Sequence, residues 1–315
     1  VVPGFLDHPC NLLAGPQINR LGLDLYHALH HFLPLALRVP RVVVTLHDLI
    51  WQEHARLTFD TRHAWLMWRL THLYGCATMR HALTGAHHVI AISRHTARRA
   101  QARYRVPAER ISVVHHGADH MQVGQTRDHG DESGAPYLFS LGNSKPYKNL
   151  RGLLQAFALV ALCHPGLRLK IAGRGDSLHN LRIFADRLGI ADRVDFCGMV
   201  SNDELRHMLS GARALVFPRL IEGFGFPLVE AMAVGCPVIT SDIPITREVS
   251  GDAAVFADPV RPDSIAEAIE RVLVDMRLRS RLRQLGFLRA RDFSWVASAE
   301  QTATVYGRLL ALKGE

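Results

Sequence analysis

The sequence contains little lysine, no closely spaced cysteine pair and no long apolar run. Only 4 of its 37 basic residues are lysines, so the net charge of +8 depends on arginine, a bias that fits general composition as well as a cationic surface. The five cysteines are odd in number and lack a CxxC pair, which favours free thiols in a reducing compartment. No uncharged apolar run approaches the length of a membrane-spanning helix, and no signal-peptide pattern is visible. With 48% apolar residues, the chain is expected to be globular, and the free thiols and the missing signal-peptide pattern favour a cytoplasmic location.

Metal-binding patterns are also missing, although 16 of the 19 histidines precede residue 136. The histidine doublets occur without HExxH or a matching set of cysteines and carboxylates, so we expect no metal site and interpret them as surface or core residues. Arginine is clustered instead, with a net charge of +8 over residues 61–118 and +6 over residues 271–291. Together with Trp65 and Trp68, the first cluster suits an anionic membrane surface. The alternative is an ordinary helix with a solvated arginine face.

Short β-branched runs alternate with helical patterns on both sides of a polar segment, residues 124–136. These runs predict strands at 41–48, 86–93, 109–117, 137–142, 167–173, 193–198, 212–218 and 236–242. Strands that alternate with helices predict parallel sheets covered on both faces. We therefore predict an α/β protein with two Rossmann-like domains, at 1–123 and 137–292, joined by the linker 124–136 and followed by a C-terminal helix in 293–315. A helix is predicted over about 60–83 and a loop over 241–254.

The most specific pattern is IEGFGFPLVEAMAVGCPVITSD, at 221–242. It follows a predicted strand and therefore lies at a carboxyl end, where open α/β sheets bind ligands. Gly223 and Gly225 let the backbone approach a ligand closely, and the loop amides can donate to a phosphate. Glu222 on the loop and Glu230 in the first turn of the following helix can then face one ligand. Spacing alone leaves open that both are surface carboxylates beside an ordinary strand–helix connection.

These two glutamates resemble the E-x7-E signature of retaining glycosyltransferases of the GT-B fold, family 4, also called group 1. The resemblance implies two Rossmann-like domains that face each other across a cleft, with the C-terminal helix returning to the N-terminal domain. It also implies that Glu222 contacts the donor sugar and acts in catalysis. Glu230 would bind the ribose hydroxyls of the nucleotide, which suits a carboxylate facing vicinal hydroxyls.

Other segments resemble the donor-binding loops of the same family. In YLFSLGNSKPYKNL, at 137–150, Gly142 opens the loop and Lys148 stands where the family binds the donor diphosphate. Tyr147 and Asn143 occupy positions at which relatives carry arginine, so the second cation is open between Lys145 and Arg174. Backbone at Met199 and Val200 would meet the base. The donor-binding residues implied by the resemblance are Gly142, Asn143, Lys148, Arg174, Met199, Val200, Gly223, Phe224, Gly225 and Glu230.

The first domain supplies the remaining candidates. His47 and Asp48 follow a predicted strand in VTLHDLI, and the resemblance places this histidine beside the donor sugar as a catalytic residue. The alternative for His47 is a hydrogen-bonded polar cap at a strand end. In IAISRHT, Ser93 is expected to cap a helix and Arg94 to lie near the cleft, so Asp48, Ser93 and Arg94 are assigned to the acceptor side. His116 replaces the asparagine that is usual in the family.

The resemblance covers roughly residues 20–312, and relatives carry about two further βα units before it, on the order of 50 residues. Those units include a glycine-rich loop that helps to bind donor phosphate and acceptor. We therefore interpret the chain as an N-terminally truncated member of the family. Without these units the first sheet would lack its central strands and activity would be in doubt.

The resemblance predicts a retaining, metal-independent hexosyltransferase that uses front-face displacement through an oxocarbenium-like state. Lys148 and loop amides would stabilise the departing diphosphate, Glu222 would hold the sugar and His47 would support it. The expected donor is GDP-mannose, then UDP-glucose, with no cofactor. The expected acceptor is a saccharide or lipid-linked saccharide in bacterial surface polysaccharide or lipopolysaccharide synthesis, with peripheral contact to the anionic inner face of the plasma membrane.

The sequence also suggests two functions other than glycosyl transfer. Residues 173–175, Gly-Arg-Gly, resemble the start of a dinucleotide fingerprint with Asp195 downstream, which suggests an NAD(P)-dependent oxidoreductase. Leu178 replaces the third glycine of that pattern, which weakens it. The arginine clusters suggest a nucleic-acid-binding protein, but the sequence has no aromatic ladder or recognised binding motif.

Overall fold

The computed structural model describes residues 9–54, 57, 65–121, 135–143, 145–173 and 178–311, which divide into two α/β units. The first unit contains the described residues up to 54, those of 65–116, and 295–311. The second contains residue 57 and the described residues between 117 and 294. Each unit has its own parallel sheet and its own apolar core. Most of the predicted linker, 124–136, lies outside the described residues.

The sheet of the first unit consists of strands β1 Leu25–Ala28, β2 Arg41–Leu46, β3 His88–Ala91 and β4 Ile111–Val113. All four are parallel and lie in the order β1-β2-β3-β4. Residues 42–46 of β2 are buried without alternation, as expected of a strand covered on both faces. The sequence did not predict β1, because histidine and alanine interrupt its apolar residues and leave no β-branched run.

The α-helices among the described residues of this part of the chain are α1 Gly15–Asn19, α2 Ile50–Glu53, α3 Trp65–Gly85 and α4 Arg94–Tyr104. Met79 and Leu83 of α3 lie in one core with Val44 of β2 and Val89 of β3. The predicted helix at 60–83 therefore corresponds to α3. Among the helices that the structure describes, none combines the length and the apolar character needed to span a membrane.

The sheet of the second unit has six parallel strands, β5 Tyr137–Leu141, β6 Arg168–Ala172, β7 Val194–Gly198, β8 Ala214–Phe217, β9 Val238–Ser241 and β10 Ala254–Ala257. Their order is β10-β9-β8-β5-β6-β7. The neighbours β5 and β8 diverge, because the chain runs from β5 to β6 on one side and from β8 to β9 on the other. This is a topological switch point, the place where open α/β sheets bind ligands.

In the described part of this unit, the α-helices that connect or follow these strands are α5 Leu150–Cys163, α6 Leu178–Arg187, α7 Asn202–Gly211, α8 Phe226–Ala233, α9 Pro244–Ser250, α10 Pro262–Val274 and α11 Met276–Ala290. Helix α5 shows why they pack on the sheet: it buries Leu150, Leu153, Leu154 and Phe157, at the i, i+3, i+4 and i+7 positions of one face. Full burial of a side chain such as Phe157 contributes roughly 1.5–3 kcal/mol.

The C-terminal helix α12, Trp295–Ala311, belongs to the first unit. Its residues Val305 and Leu309 share a buried cluster with Val43 and Ile90 of the first sheet. The hydroxyl of Ser298 also donates a hydrogen bond to the backbone oxygen of His115. This confirms the prediction that the chain returns to its N-terminal part.

One predicted domain boundary and one predicted loop differ from the structure. Residues 117–121 belong to the second unit, not to a first domain ending at 123, because the N–H of Ala118 donates to the oxygen of Phe293 at 3.1 Å. The predicted loop 241–254 contains α9, in which Pro244 occupies an early position that needs no amide partner. Turn-forming residues flank this short helix, so its sequence shows no clear helical periodicity.

The arginines of the +6 segment partly serve the fold. Arg289 of α11 donates to the backbone oxygens of Glu248 and Val249, at 2.5 and 2.8 Å, in the last turn of α9. Arg279 donates to the oxygen of Val272, at 2.7 Å, in the last turn of α10. Cations at helix C-termini satisfy open carbonyl groups and oppose the helix dipole. These two charges therefore stabilise helix ends.

Candidate functional site

The candidate site lies at the switch point of the second sheet, where the chain leaves β5 and β8. The described part of the loop after β5 covers residues 142–143 and 145–149, and the loop after β8 covers residues 218–225. The backbone N–H of Leu220 donates to the oxygen of Tyr147 at 3.0 Å, which joins the two loops. Residues that the sequence separates by about 70 positions thereby come together.

Lys148 and Glu222 form an ion pair in this site. Nζ of Lys148 lies 3.0 Å from Oε2 of Glu222, and the side chains are only 17% and 15% exposed. The N–H of Gly223 donates to the other carboxylate oxygen, Oε1, at 3.2 Å. Water screens a half-buried ion pair less than a surface pair, so the attraction between the two side chains is stronger here. The ion pair and the Gly223 hydrogen bond together fix the position of the carboxylate.

Arg219 is a third charged residue here, and the sequence analysis did not single it out. Its side chain is 2% exposed, and its Nε lies 4.0 Å from Oε2 of Glu222. The guanidinium donates to the backbone oxygens of Leu141 and Lys148, the latter at 3.4 Å, and lies 4.2 Å from the ring centroid of Phe217. Burial lowers the pKa of Arg219 to about 10, although Glu222 opposes this shift. Arg219 is therefore charged at neutral pH.

Glycines close the ends of β5 and β6. The N–H of Gly142 donates to the oxygen of Ala172 at 2.9 Å, and the N–H of Gly173 donates to the oxygen of Gly198 at 2.7 Å. Gly142 and Gly173 have φ angles of 153° and 146°. A Cβ atom on Gly142 would lie 2.7 Å from Nη1 of Arg219, and one on Gly173 would collide with the backbone oxygen of Gly142. These positions therefore require glycine.

The loop after β8 ends at Gly225, which precedes α8 with a φ of 90°. The ring of Phe224 is 2% exposed and packs edge-on against Phe226 and Phe293, with ring centroids 5.5 and 5.6 Å apart. Phe224 was assigned to the donor site, and its burial leaves only its backbone to contact a ligand.

Glu230 lies one turn later than predicted, because α8 begins at Phe226 and places it in the second helical turn. Its Oε1 lies 3.3 Å from Nε2 of His120, and its side chain is 13% exposed. Burial raises the pKa of Glu230, and the contact with His120 opposes that rise. The carboxylate thus has one side-chain partner from the segment 117–121, which the sequence analysis had placed in the other domain.

The predicted base-binding residues follow β7 at the same edge of the sheet. Gly198 has a φ of 71°, and the next residue, Met199, is 71% exposed while Val200 is half-buried. Asn143, assigned to the donor site, accepts the N–H of Lys145 on Oδ1 at 3.3 Å. This contact gives Asn143 a role in shaping its own turn.

The two cations proposed from the sequence have different outcomes. Lys145 lines a cavity of about 570 Å³ between α5 and α6, together with Arg151 and Arg187. Arg174 lies outside the described residues. A cation that the structure does place beside the Lys148–Glu222 pair is Arg219.

In the first unit, His47 lies in a row of aromatic rings beyond the ends of β1, β2 and β4. Its Nε2 donates to the backbone oxygen of Leu29 at 2.8 Å. Its ring centroid is 5.7 Å from that of His30 and 5.6 Å from that of His116, which is 5.3 Å from Trp295. His47 therefore has the backbone partner of a polar cap, and its catalytic role stays a prediction.

Several of these histidines are half-buried. Burial lowers the pKa of His116 to about 4, and the neighbouring His47 and His115 add to the shift. The pKa of His31 falls to about 3 for the same reason, with contributions from His30 and His47. Within the described residues, no group of three histidine, cysteine or acidic side chains is arranged to hold a metal ion.

The residues assigned to the acceptor side have local partners. Oδ1 of Asp48 accepts the N–H of Ile50 at 2.9 Å. Ser93 is fully buried and caps α4, as predicted, by accepting the N–H of Thr96 at 3.0 Å. Arg94 begins α4 and is exposed. Their assignment to an acceptor stays a prediction.

Three polar residues of the second unit were not predicted from the sequence: Arg219, His120 and Asn149. Asn149 has a φ of 55° and donates from Nδ2 to the oxygens of Pro218 and Pro259, at 2.9 and 2.7 Å. Asparagine adopts this left-handed backbone conformation more readily than most residues do. The contact between His120 and Glu230 spans 110 positions and has no local signal.

Two family models match the chain. Residues 125–288 match the model described as glycosyl transferases group 1, and residues 8–122 match the model described as glycosyltransferase family 4. The chain belongs to the glycosyl transferases group 1 family. This membership leaves the oxidoreductase and nucleic-acid-binding alternatives without support.

Curated relatives agree with this assignment. The chain is 34% identical over 172 residues to O-antigen chain mannosyltransferase B of Escherichia coli, covering 54% of this chain and 45% of that protein. It is 32% identical over 193 residues to O-antigen chain mannosyltransferase RfbU of Salmonella typhimurium, covering 59% and 50%. The chain thus spans about half the length of the curated relatives it matches.

Solved structures confirm the GT-B fold. Sucrose-phosphate synthase from Thermosynechococcus elongatus superimposes with a TM-score of 0.75 at 22% identity, covering 94% of this chain and 76% of that one. Anabaena HepE, in complex with UDP and glucose, has a TM-score of 0.73 at 20% identity, covering 93% and 80%. WaaG, a glycosyltransferase involved in lipopolysaccharide biosynthesis, has a TM-score of 0.73 at 16% identity, covering 92% and 80%.

Proposed function

We propose that the chain is a retaining, metal-independent hexosyltransferase that acts in the synthesis of bacterial surface polysaccharide. It would move a sugar from a nucleotide sugar to a saccharide or lipid-linked saccharide. The observation that carries this proposal is the Lys148–Glu222 ion pair at the switch point, between glycine-lined loops. Family membership and the names of the O-antigen relatives support the reaction class.

In the proposed reaction, the bond from the anomeric carbon to the diphosphate breaks, and the acceptor oxygen bonds to the same face of the sugar. Lys148 and the loop amides stabilise the growing negative charge of the diphosphate, and Glu222 holds the sugar. The departing diphosphate takes the proton of the acceptor hydroxyl. His47 keeps the role that the family resemblance gives it, support of the donor sugar.

We propose that protein cations replace a metal in this reaction. Lys148 and Arg219 lie at the loop ends where the diphosphate is expected. A leaving diphosphate needs positive charge in its transition state, and fixed ammonium or guanidinium groups supply it without reorganisation. Activity in the presence of a chelator would support this part of the proposal.

The favoured donor is GDP-mannose, with UDP-glucose second. Two relatives are named as O-antigen chain mannosyltransferases and a third as a serotype-specific mannosyltransferase. The HepE structure, in contrast, contains UDP and glucose. In either case Glu230 would bind the ribose diol, and Met199 and Val200 would offer backbone to the base.

We place this reaction in the cytoplasm, at the inner face of the plasma membrane. The arginine-rich segment 61–118 would contact anionic lipid. This lipid contact is supported by the exposed arginines of α4, at positions 94, 98, 99 and 103. One of them, Arg99, also forms an ion pair with Glu53 at 2.7 Å.

A thermal-shift panel of nucleotide sugars tests the proposed function. A bound donor raises Tm by mass action, so wild type should shift with GDP-mannose or UDP-glucose and Glu230→Gln should not. Without ligand, Glu230→Gln should be more stable than wild type at neutral pH. The raised pKa of Glu230 gives the folded state stability at low pH that is lost as pH rises through that pKa, and glutamine removes this loss.

Glu267→Gln is the matched control, because Glu267 is an exposed carboxylate on α10 of the same unit. It should keep the ligand shift of wild type. If Glu230→Gln is folded and more stable than wild type but shows no Tm shift with the donor, the loss of donor binding is due to Glu230. An equal donor shift in wild type and Glu230→Gln, or no shift with any nucleotide sugar, contradicts the proposed site.

A further inference from the structure

The Lys148–Glu222 pair has a charge balance that does not suit its proposed ligand. Lys148 contributes one positive charge and Glu222 one negative charge, 3.0 Å apart. Such a pair is neutral as a whole, whereas a nucleoside diphosphate brings two or more negative charges. The Glu222 carboxylate repels the same diphosphate that the Lys148 ammonium attracts. This repulsion is strong where water is excluded.

Arg219 changes this balance from a buried position. Its Nε lies 4.0 Å from the same carboxylate oxygen that Lys148 contacts. Its burial lowers its pKa only to about 10, so the guanidinium keeps its charge at neutral pH. With Arg219 included, the three side chains carry a net charge of +1.

The contacts of Arg219 also limit how it can act. Its guanidinium donates to the backbone oxygens of Leu141 and Lys148 and packs on Phe217. Gly142 lies so close that a Cβ there would be 2.7 Å from Nη1. Being enclosed by the loop after β5, Arg219 cannot leave this place to touch a ligand. It is therefore a positioning residue, which acts through Glu222 and through its electrostatic field.

We propose that Arg219 is the second cation of the diphosphate site, and that it supplies the positive charge left over after Lys148 pairs with Glu222. The same side chain ties the loop after β8 to the loop after β5, so it also fixes the place of Glu222. The ligand class is the diphosphate of a nucleoside diphosphate, and the inference therefore rests on the proposed function. It replaces Lys145 and Arg174 as candidates for this role.

If the net charge of Lys148, Arg219 and Glu222 governs binding, wild type and its variants should bind inorganic pyrophosphate with affinities in a definite order. Titration calorimetry on the full chain measures these affinities. Net charges at the three positions are +2 in Glu222→Gln, +1 in wild type, +1 in the double variant Arg219→Met/Glu222→Gln, and 0 in Arg219→Met. Affinity should follow the same order, with Arg219→Met roughly tenfold to hundredfold weaker than wild type. The double variant should bind like wild type, and Arg219→Lys should retain most of the affinity.

A purely structural role predicts something different. If Arg219 only held the loops, Arg219→Met would weaken pyrophosphate and uncharged guanosine or uridine equally, and the double variant would be no better. We expect the affinity for the nucleosides to stay within about twofold of wild type, since they carry no phosphate. Arg271→Met is the control, because Arg271 is exposed on α10 and its loss changes the net charge equally.

Each outcome decides between these accounts. Unchanged pyrophosphate affinity in Arg219→Met, or an equal loss of nucleoside affinity, overturns the inference while the proposed function stands. If Arg219→Met does not fold, the comparison of Glu222→Gln with the double variant decides, and equal affinities there overturn the inference. If wild type binds neither pyrophosphate, GDP nor UDP, the proposed function fails, and this inference fails with it.

Discussion

His116 lies in the first unit in a setting that opposes its protonation. Burial and the neighbouring His47 and His115 lower its pKa to about 4, whereas an unfolded histidine titrates near 6.5. Between these values the unfolded chain takes up a proton that the folded chain does not. The free energy of unfolding therefore falls as the pH drops through this window. His31, whose pKa falls to about 3, adds to the same effect.

The replacement His116→Asn should reduce this acid sensitivity. Asparagine does not titrate, so the variant should lose less stability than wild type between about pH 7.5 and about pH 5. Urea unfolding followed by tryptophan fluorescence measures this selectively, because all four tryptophans belong to the first unit. The exposed His54 gives the control variant His54→Asn. If His116→Asn and wild type lose equal stability, His116 is not a source of the effect.

At the scale of elements, the ends of β5, β6 and β7 are joined through glycine amides. The N–H of Gly142 reaches the end of β6, and the N–H of Gly173 reaches the oxygen of Gly198 at the end of β7. A side chain on Gly173 would press on the backbone of Gly142, which lies beside Arg219. The shape of the diphosphate site therefore depends on a residue in the neighbouring strand–helix connection.

Gly173→Ala should damage both stability and the site. The φ of 146° and the collision with Gly142 are expected to cost more than about 2 kcal/mol. Pyrophosphate affinity should fall as well, because the loop after β5 must shift. Gly166→Ala is the matched control, since a Cβ there would meet nothing within 4 Å. Thermal unfolding and calorimetry check both effects, and a Gly173→Ala protein with wild-type Tm and affinity would contradict the assigned packing.

The elements found from the sequence are those with a strong local pattern. β2, β5 and β8 are nearly continuous apolar runs, as expected of strands in a sheet covered on both faces. The strands β1 and β10 were missed, because each has only four residues and at most one of them is β-branched. Helix α9 was missed because its seven residues are too few for a periodic pattern to be visible.

At the scale of the whole molecule, the sequence predicted two Rossmann-like halves and the return of the C-terminal helix. It also indicated Lys148, Glu222 and Gly142 through one family resemblance. It did not indicate Arg219, since nothing in the segment around it shows that the strand order places β8 beside β5. Such contacts depend on topology, which local pattern does not encode.

The net charge of +8 has separate origins in the two units. In the second unit, Arg279 and Arg289 bind helix C-termini and Arg219 is buried beside Glu222. In the first unit, α4 exposes arginines of the 61–118 segment. We therefore expect the proposed contact with anionic lipid to come from the first unit.

The most direct measurement is an NMR assay of sugar transfer from GDP-mannose and, separately, UDP-glucose to an added glycoside, with a chelator present. We predict release of GDP or UDP and a product that keeps the α configuration of the donor. Glu222→Gln should slow the reaction at least about 100-fold, while Glu267→Gln leaves it unchanged. A product of inverted configuration, dependence on added metal, or full activity in Glu222→Gln would contradict the account.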